Sequence, residues 1–290
     1  MVDSSFLLDT RDHIGHRQMH FWGDTGEDET MSPDDLMIIL RDAIAQKRFE
    51  IAMQPIMCTV SRSHHGFEVL ARLNFRGRQI APSTFIPFAQ QTGMIAPIGR
   101  IILSKALEAR NSILKAGCLP GKLSINFGAL EVCEQGFLFN LFRALDTHQV
   151  RPEDITIEIT ETAMIDLSRT QISSVISTLR RHGIQVALDD FGTGFSSISH
   201  LKYLDVNIVK IDNSFIKELQ INAEDRIIVR GIISLAQKLG MKVVAEGVEL
   251  KAQADFLKKF GCNLLQGYFF SRPLTLDSAV AFLKLRQQKI

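Results

Sequence analysis

A chain of 290 residues that is 46% hydrophobic and 22% charged has the composition of a globular domain with a full core, which excludes wholesale disorder. With 33 Lys and Arg against 32 Asp and Glu, the net charge is +1, so no global field draws the chain to nucleic acid or an anionic membrane. Cys58, Cys118, Cys133 and Cys262 lack metal-ligand or CxxC spacing and read as reduced thiols of a cytoplasmic protein; no apolar run approaches the roughly 18 residues of a membrane span.

Residues 1–31 are polar and aperiodic, and GDTGEDET at 23–30 reads as an acidic linker. No basic segment followed by an apolar stretch marks a signal peptide. A folded domain is expected over 32–290, opening with a helix that Ser32 caps, Pro33 starts, and Asp34 and Asp35 favour through the dipole. Short β-like runs follow at 51–56, 66–73, 122–127, 155–160, 185–190, 207–212, 242–246 and 263–267. Helical patterns fall at about 98–115, 130–146, 165–181, 213–239, 251–259 and 276–287, and Gly117, Gly183, Gly240 and Gly261 end four of them. Eight strands with intervening helices predict an α/β fold, a TIM-like (β/α)8 barrel. An open doubly wound sheet is the alternative, but no phosphate-binding glycine motif follows any strand. Residues 57–65 are too few for a parallel crossover, so the first two strands form a hairpin and the first runs antiparallel to the others.

Strand alternation assigns the chemistry. In the run 155–160, Ile155, Ile157 and Ile159 share one face, while Thr156, Glu158 and Thr160 share the other, towards the barrel interior. The same reading pairs Ser124 with Asn126, Lys210 with Asp212, and Val244 with Glu246. Glu68 lies in the second strand, Asp189 and Asp190 end the fifth before Phe-Gly-Thr-Gly, and Gln266 ends the eighth. Carboxylates converging on one rim with a single lysine need compensating cations, for which oxygen-coordinated Mg2+ or Mn2+ is suited. Adjacent aspartates allow one carboxylate to bridge two ions, an arrangement suited to phosphodiester hydrolysis. A single strand-end acid is more often a cap or a solvated rim charge; the recurrence on one rim outweighs that reading. His64-His65 reads as a polar turn, and Arg180-Arg181-His182 as a solvated helix end.

GFEVLARL at 66–73 resembles the EAL signature, with Val69 in place of alanine. Further similar blocks are Gln54-Pro55-Ile56, FIPFAQQTGMI at 85–95, SINFGAL at 124–130, EITET at 158–162, DDFGTGFSSISHLKYL at 189–204, VKIDNSFI at 209–216, VVAEGVE at 243–249 and LLQGYFFSRPL at 264–274. The resemblance to the EAL family covers about 33–288. It implies a TIM barrel with a reversed first strand that hydrolyses cyclic di-GMP to linear pGpG with Mg2+ or Mn2+, is inhibited by Ca2+, and forms a homodimer. It also implies that Glu68, Asn126, Glu158 and Asp189 hold one metal and that Asp189, Asp190 and Glu246 serve a second. Lys210, Glu246 and Gln266 would act in catalysis, with Glu161 anchoring the 191–204 loop. Gln54, Leu70, Arg72, Asp212 and Glu249 would hold the substrate.

Met53, Leu73, Gln90 and Phe195 depart from residues common in the family without removing a metal ligand or the lysine. Some family members have lost catalysis and serve as cyclic di-GMP receptors or interaction modules; the intact acidic set favours the hydrolase. Residues 9–22 are similar to the end of a GGDEF cyclase domain, which would make 1–31 a remnant plus linker; an ordinary N-terminal extension is the alternative.

Overall fold

The computed structural model describes residues 31–160, 169–193 and 203–287. The chain opens with α1 (Pro33–Ala45), whose Asp35 amide donates to the Ser32 hydroxyl at 3.1 Å. Leu36, Ile39, Leu40 and Ala43 form its buried stripe. There follow β1 (Phe49–Cys58), β2 (His64–Phe75), β3 (Arg78–Ile80), α2 (Pro82–Gln91), α3 (Ile95–Lys115), β4 (Lys122–Phe127), α4 (Ala129–Val132) and α5 (Phe137–Thr147). Then come β5 (Ile155–Thr160), α6 (Arg169–Arg181), β6 (Gln185–Phe191), β7 (Ile208–Ile211), α7 (Asn213–Lys217) and α8 (Ala223–Lys238). The last elements are β8 (Lys242–Ala245), α9 (Lys251–Lys259), β9 (Leu264–Gln266) and α10 (Leu276–Gln287).

The sheet runs β1-β9-β8-β7-β6-β5-β4-β2, with β3 as a hairpin extension of β2, and β1 pairs with β2 to close it. β1 is antiparallel to both neighbours, whereas the pairs from β2–β4 through β8–β9 are parallel. This is an α/β barrel with a reversed first strand, as the short first connection requires. Two apolar layers hold it. Ile155, Ile157 and Ile159 face outward with Ile172, Ile176 and Leu179 of α6 and Val229, Ile233 and Ala236 of α8 in the main core. Ile56, Ala187, Ile208, Val244 and Leu264 form a separate, smaller cluster. The alternate residues of β5 and β7, Glu158 and Lys210, are buried too, on the opposite side of their strands from the isoleucines and valine of the main core.

Several expected boundaries change. The helix expected over 130–146 is broken into α4 and α5: α4 stops at Val132 with Cys133 as its cap, and Gly136, at φ 92° in the left-handed region, sets the chain into α5. The expected helix at 213–239 is also two: the Asn222 side chain accepts the amides of Glu224 and Asp225 and starts α8 afresh. α2 and β3 were not expected; Pro82 and Pro87 obscure the helical pattern, although Pro82 occupies the first turn, where proline fits. His64 and His65 begin β2 rather than forming a turn, with the His64 ring 4.4 Å from that of Phe67. Gly117, Gly183, Gly240 and Gly261 all follow helices at positive φ.

Candidate active site

Lys210 organises the upper end of the barrel. Its side chain is 1% exposed, and Nζ lies 2.6 Å from Glu246, 2.7 Å from Glu158, 3.0 Å from Asp189 and 3.7 Å from Glu68. Four strands and the segment after β8 thus deliver one ammonium and four carboxylates to a single volume. Burial alone would depress the lysine; Asp189, Glu158, Glu246 and Glu68 instead hold it well above the usual range.

A β-bulge adds the fifth carboxylate. Leu188 pairs with Val209 and Phe191 with Ile211, so Asp189 and Asp190 together stand opposite Lys210. In a regular strand two consecutive side chains would point to opposite faces. Here Asp190 adopts φ 54°, its amide donates to Asp189 Oδ1 at 3.0 Å, and both carboxylates reach the same mouth. Burial and the neighbouring Asp189 and Asp212 raise the Asp190 carboxyl above its ordinary value.

On the far side, Glu68 accepts from Asn126 Nδ2 at 2.8 Å and from Gln266 Nε2 at 2.5 Å. Gln266 Nε2 also donates to Gln54 Oε1 at 3.1 Å, across the β1–β9 junction. Burial would raise Glu68, but Lys210 and these amide donors outweigh it and hold it low. Glu158 is driven the other way, up to about 8, by burial that Lys210 only partly opposes, with Glu68 and Asp189 adding repulsion. Glu246 is likewise raised, first by burial. One lysine is too little positive charge for this set to ionise fully.

The donor set fits hard divalent cations. Oxygens of Glu68, Glu158 and Asp189 lie within 4.8 Å of one another, as do those of Asp189, Asp190 and Glu246, so Asp189 belongs to both groups. Every donor is a carboxylate oxygen, the chemistry of Mg2+-type sites. Gln266 Oε1 is also buried without a protein partner, an acceptor that an ordered water could satisfy.

A family model for the EAL domain matches residues 38–273, a span that includes every strand of the barrel. The chain belongs to the EAL domain family. This EAL domain is 34% identical over 244 residues to the bifunctional diguanylate cyclase/cyclic di-GMP phosphodiesterase MucR of Pseudomonas aeruginosa, covering 83% of this chain and 35% of that protein. It is 33% identical over 248 residues to the probable cyclic di-GMP phosphodiesterase PdeG of Escherichia coli, covering 84% of this chain and 48% of that one. The chain therefore spans between a third and a half of the length of these curated relatives. Among solved structures, it is similar to the PaMucR phosphodiesterase in complex with c-di-GMP, with TM-score 0.78, 33% identity, and coverage of 84% of this chain and 98% of that one. The FimX EAL domain from Pseudomonas aeruginosa bound to c-di-GMP matches with TM-score 0.73 and 26% identity, covering 83% of this chain and 96% of that one.

The remaining candidate residues of the EAL domain lie around this cluster. Leu70 and Arg72 follow Glu68 on the same face of β2, and Arg72 is half-buried, with Nη1 on the Ala71 carbonyl at 2.9 Å. Asp212 caps α7 by accepting the Ser214 amide at 2.9 Å, and it lies within electrostatic reach of Asp190. Glu249 is exposed, and its backbone amide is fixed by Gln253 Oε1 at 2.8 Å. Glu161 and Phe195 lie outside the described residues. Tyr268 is absent from the strand-end pattern because it follows β9 rather than ending it. Its ring is half-exposed, lies under Arg272 at 4.5 Å, and sits within electrostatic reach of Arg72; its signal in the sequence was the GYFFSRP block. No helix among the described residues is long and apolar enough to cross a membrane.

Proposed function

We propose that this EAL domain hydrolyses cyclic di-GMP to linear pGpG. The observation that bears most weight is the pair of three-carboxylate groups sharing Asp189 around a buried Lys210, in a chain 33% identical to a phosphodiesterase solved with c-di-GMP.

Glu68, Asn126, Glu158 and Asp189 would hold one divalent ion, and Asp189, Asp190 and Glu246 the second, with Mg2+ or Mn2+ the suited species and Ca2+ inhibitory. Bound there, the ions would supply a water of lowered pKa and offset the charge of the phosphodiester. Lys210, braced by its carboxylates, orients the attacking water and meets the negative charge developing on phosphorus-bound oxygen. Glu246, or the metal pair itself, would handle the water's proton. Gln266, tied to Glu68 and Gln54, turns its unpartnered oxygen to a water of the site. Arg72 forks onto a substrate phosphate, while Gln54, Leu70, Asp212 and Glu249 line the substrate's approach. Glu161 anchors the segment after Asp190, and two copies of the domain form a homodimer.

Incubating the purified chain with cyclic di-GMP and Mn2+, with chromatographic separation of products, tests this reading. Accumulation of pGpG supports it; saturable binding with no product would make the domain a receptor.

A further inference from the structure

A buried carboxyl that the catalytic rim does not use sits where β4 leaves the barrel. Glu131 of α4 is 7% exposed. Its Oε2 accepts the amide of Gly128 at 3.4 Å, and Oε1 occupies space that any side chain on Gly99 of α3 would need. The carboxyl is thus wedged between α3 and the turn after β4. Gly128 is two residues beyond Asn126, whose amide holds Glu68 at 2.8 Å.

Beside the carboxyl is a small cavity of about 50 Å³, with Arg100, Phe127, Glu134, Phe137 and Asn140 among its walls. The Gly128 amide and, more weakly, Arg100 from α3 favour ionisation of Glu131, whereas burial and Glu134 after α4 oppose it. Burial dominates and pushes the carboxyl up to about 8, so it retains its proton at neutral pH. A neutral carboxyl fits this corner without a counter-charge. A carboxylate is still favoured by the Gly128 amide and Arg100 but loses its solvation there, so ionisation pulls the side chain towards Arg100 or water and away from its place between Gly99 and Gly128.

We propose that neutral Glu131 is a positioning residue for Asn126, fixing the β4 exit so that the Asn126 amide stays on Glu68, and that ionisation of Glu131 loosens that contact. The consequence for metal affinity rests on the proposed ligand roles of Asn126 and Glu68; the coupling between the two side chains does not.

The test is NMR of the full chain without added metal from pH 6.5 to 9.5, following the Gly128 amide and the Asn126 side-chain amide in the wild type, Glu131→Gln and Glu131→Ala. Asn126 also senses the rim carboxylates in every variant, so the difference between wild type and Glu131→Gln is decisive. Both signals should show a step near pH 8 in the wild type that is missing from Glu131→Gln, which keeps neutral-pH positions throughout. Glu131→Ala should shift the Asn126 signal at every pH. At pH 9, Glu131→Gln should bind Mn2+ several-fold more tightly than the wild type, with equal affinities at pH 6.5. The same Asn126 step in Glu131→Gln as in the wild type, or a Gly128 step with none at Asn126, would overturn the coupling. None of these readings requires turnover, so an inactive enzyme leaves them interpretable; equal Mn2+ affinities at pH 9 with the Asn126 difference intact would instead contradict the ligand roles.

Discussion

Asp189 Oδ1 lies 3.0 Å from Lys210 Nζ at the point where β6 carries one residue more than β7. That extra residue is Asp190, so the bulge that brings a second aspartate to the mouth also sets the first against the buried lysine. Structure and charge are therefore hard to separate here, and substitutions at these positions should show distinct signatures.

Lys210→Met removes the ammonium from among four carboxylates. Leaving a buried charge cluster without its partner typically costs about 3–5 kcal/mol. Metal-free Lys210→Met should lose stability on that scale at pH 7.5 in chemical denaturation and regain part of it with Mg2+. A stability equal to the wild type would show that the lysine does not neutralise the rim.

Asp189 is common to both carboxylate groups and Asp190 to one. Calorimetric titration with Mn2+ should therefore lose both binding events in Asp189→Asn and one in Asp190→Asn. Both substitutions, like Glu68→Ala, should abolish hydrolysis without unfolding the barrel. One retained ion in Asp189→Asn would contradict the bridging assignment.

Asp190 sits at φ 54°, where a side chain costs roughly 1 kcal/mol relative to glycine. Asp190→Gly should raise the thermal midpoint while losing hydrolysis, whereas Asp190→Ala should lose activity without the gain. A lower midpoint for the glycine variant would place the cause of the left-handed backbone elsewhere.

The parts of the architecture legible in the sequence were those set by strand period and connection length. Three alternating isoleucines aim Glu158 inward, and nine residues between the first two strands force a hairpin. The bulge was not legible. Strict alternation separates Asp189 from Asp190; the family resemblance assigned both to one site, and the paired register supplies the geometry that lets them share a mouth. The break before α8 was hidden because apolar spacing continues through Ile216 and Leu219 towards Val229, although the Asn222 cap was present in the sequence. Glu131 gave no signal either, since its environment is formed by Gly99, 32 positions earlier.

Metal binding should depend on pH with a definite sign. Glu158 is held up at about 8, so it carries a proton in the folded, metal-free domain near neutrality, and burial raises Glu246 in the same direction. An unfolded glutamate loses its proton near 4.5. Glu158 therefore favours the folded state most at low pH, and that contribution declines as pH rises from about 4.5 to 8. Metals need the ionised forms, so affinity should rise as pH increases from 6 towards 8, with proton release on binding. Calorimetry in buffers of different ionisation enthalpy measures that release; its absence at pH 6.5 would contradict the protonated rim.

The most direct test of the central claim is conversion of cyclic di-GMP by the purified chain in Mn2+, with parallel Ca2+ and Glu68→Ala samples. The account predicts pGpG in the first sample only. Product in Glu68→Ala equal to the wild type, or no product from the wild type in Mn2+, would contradict it.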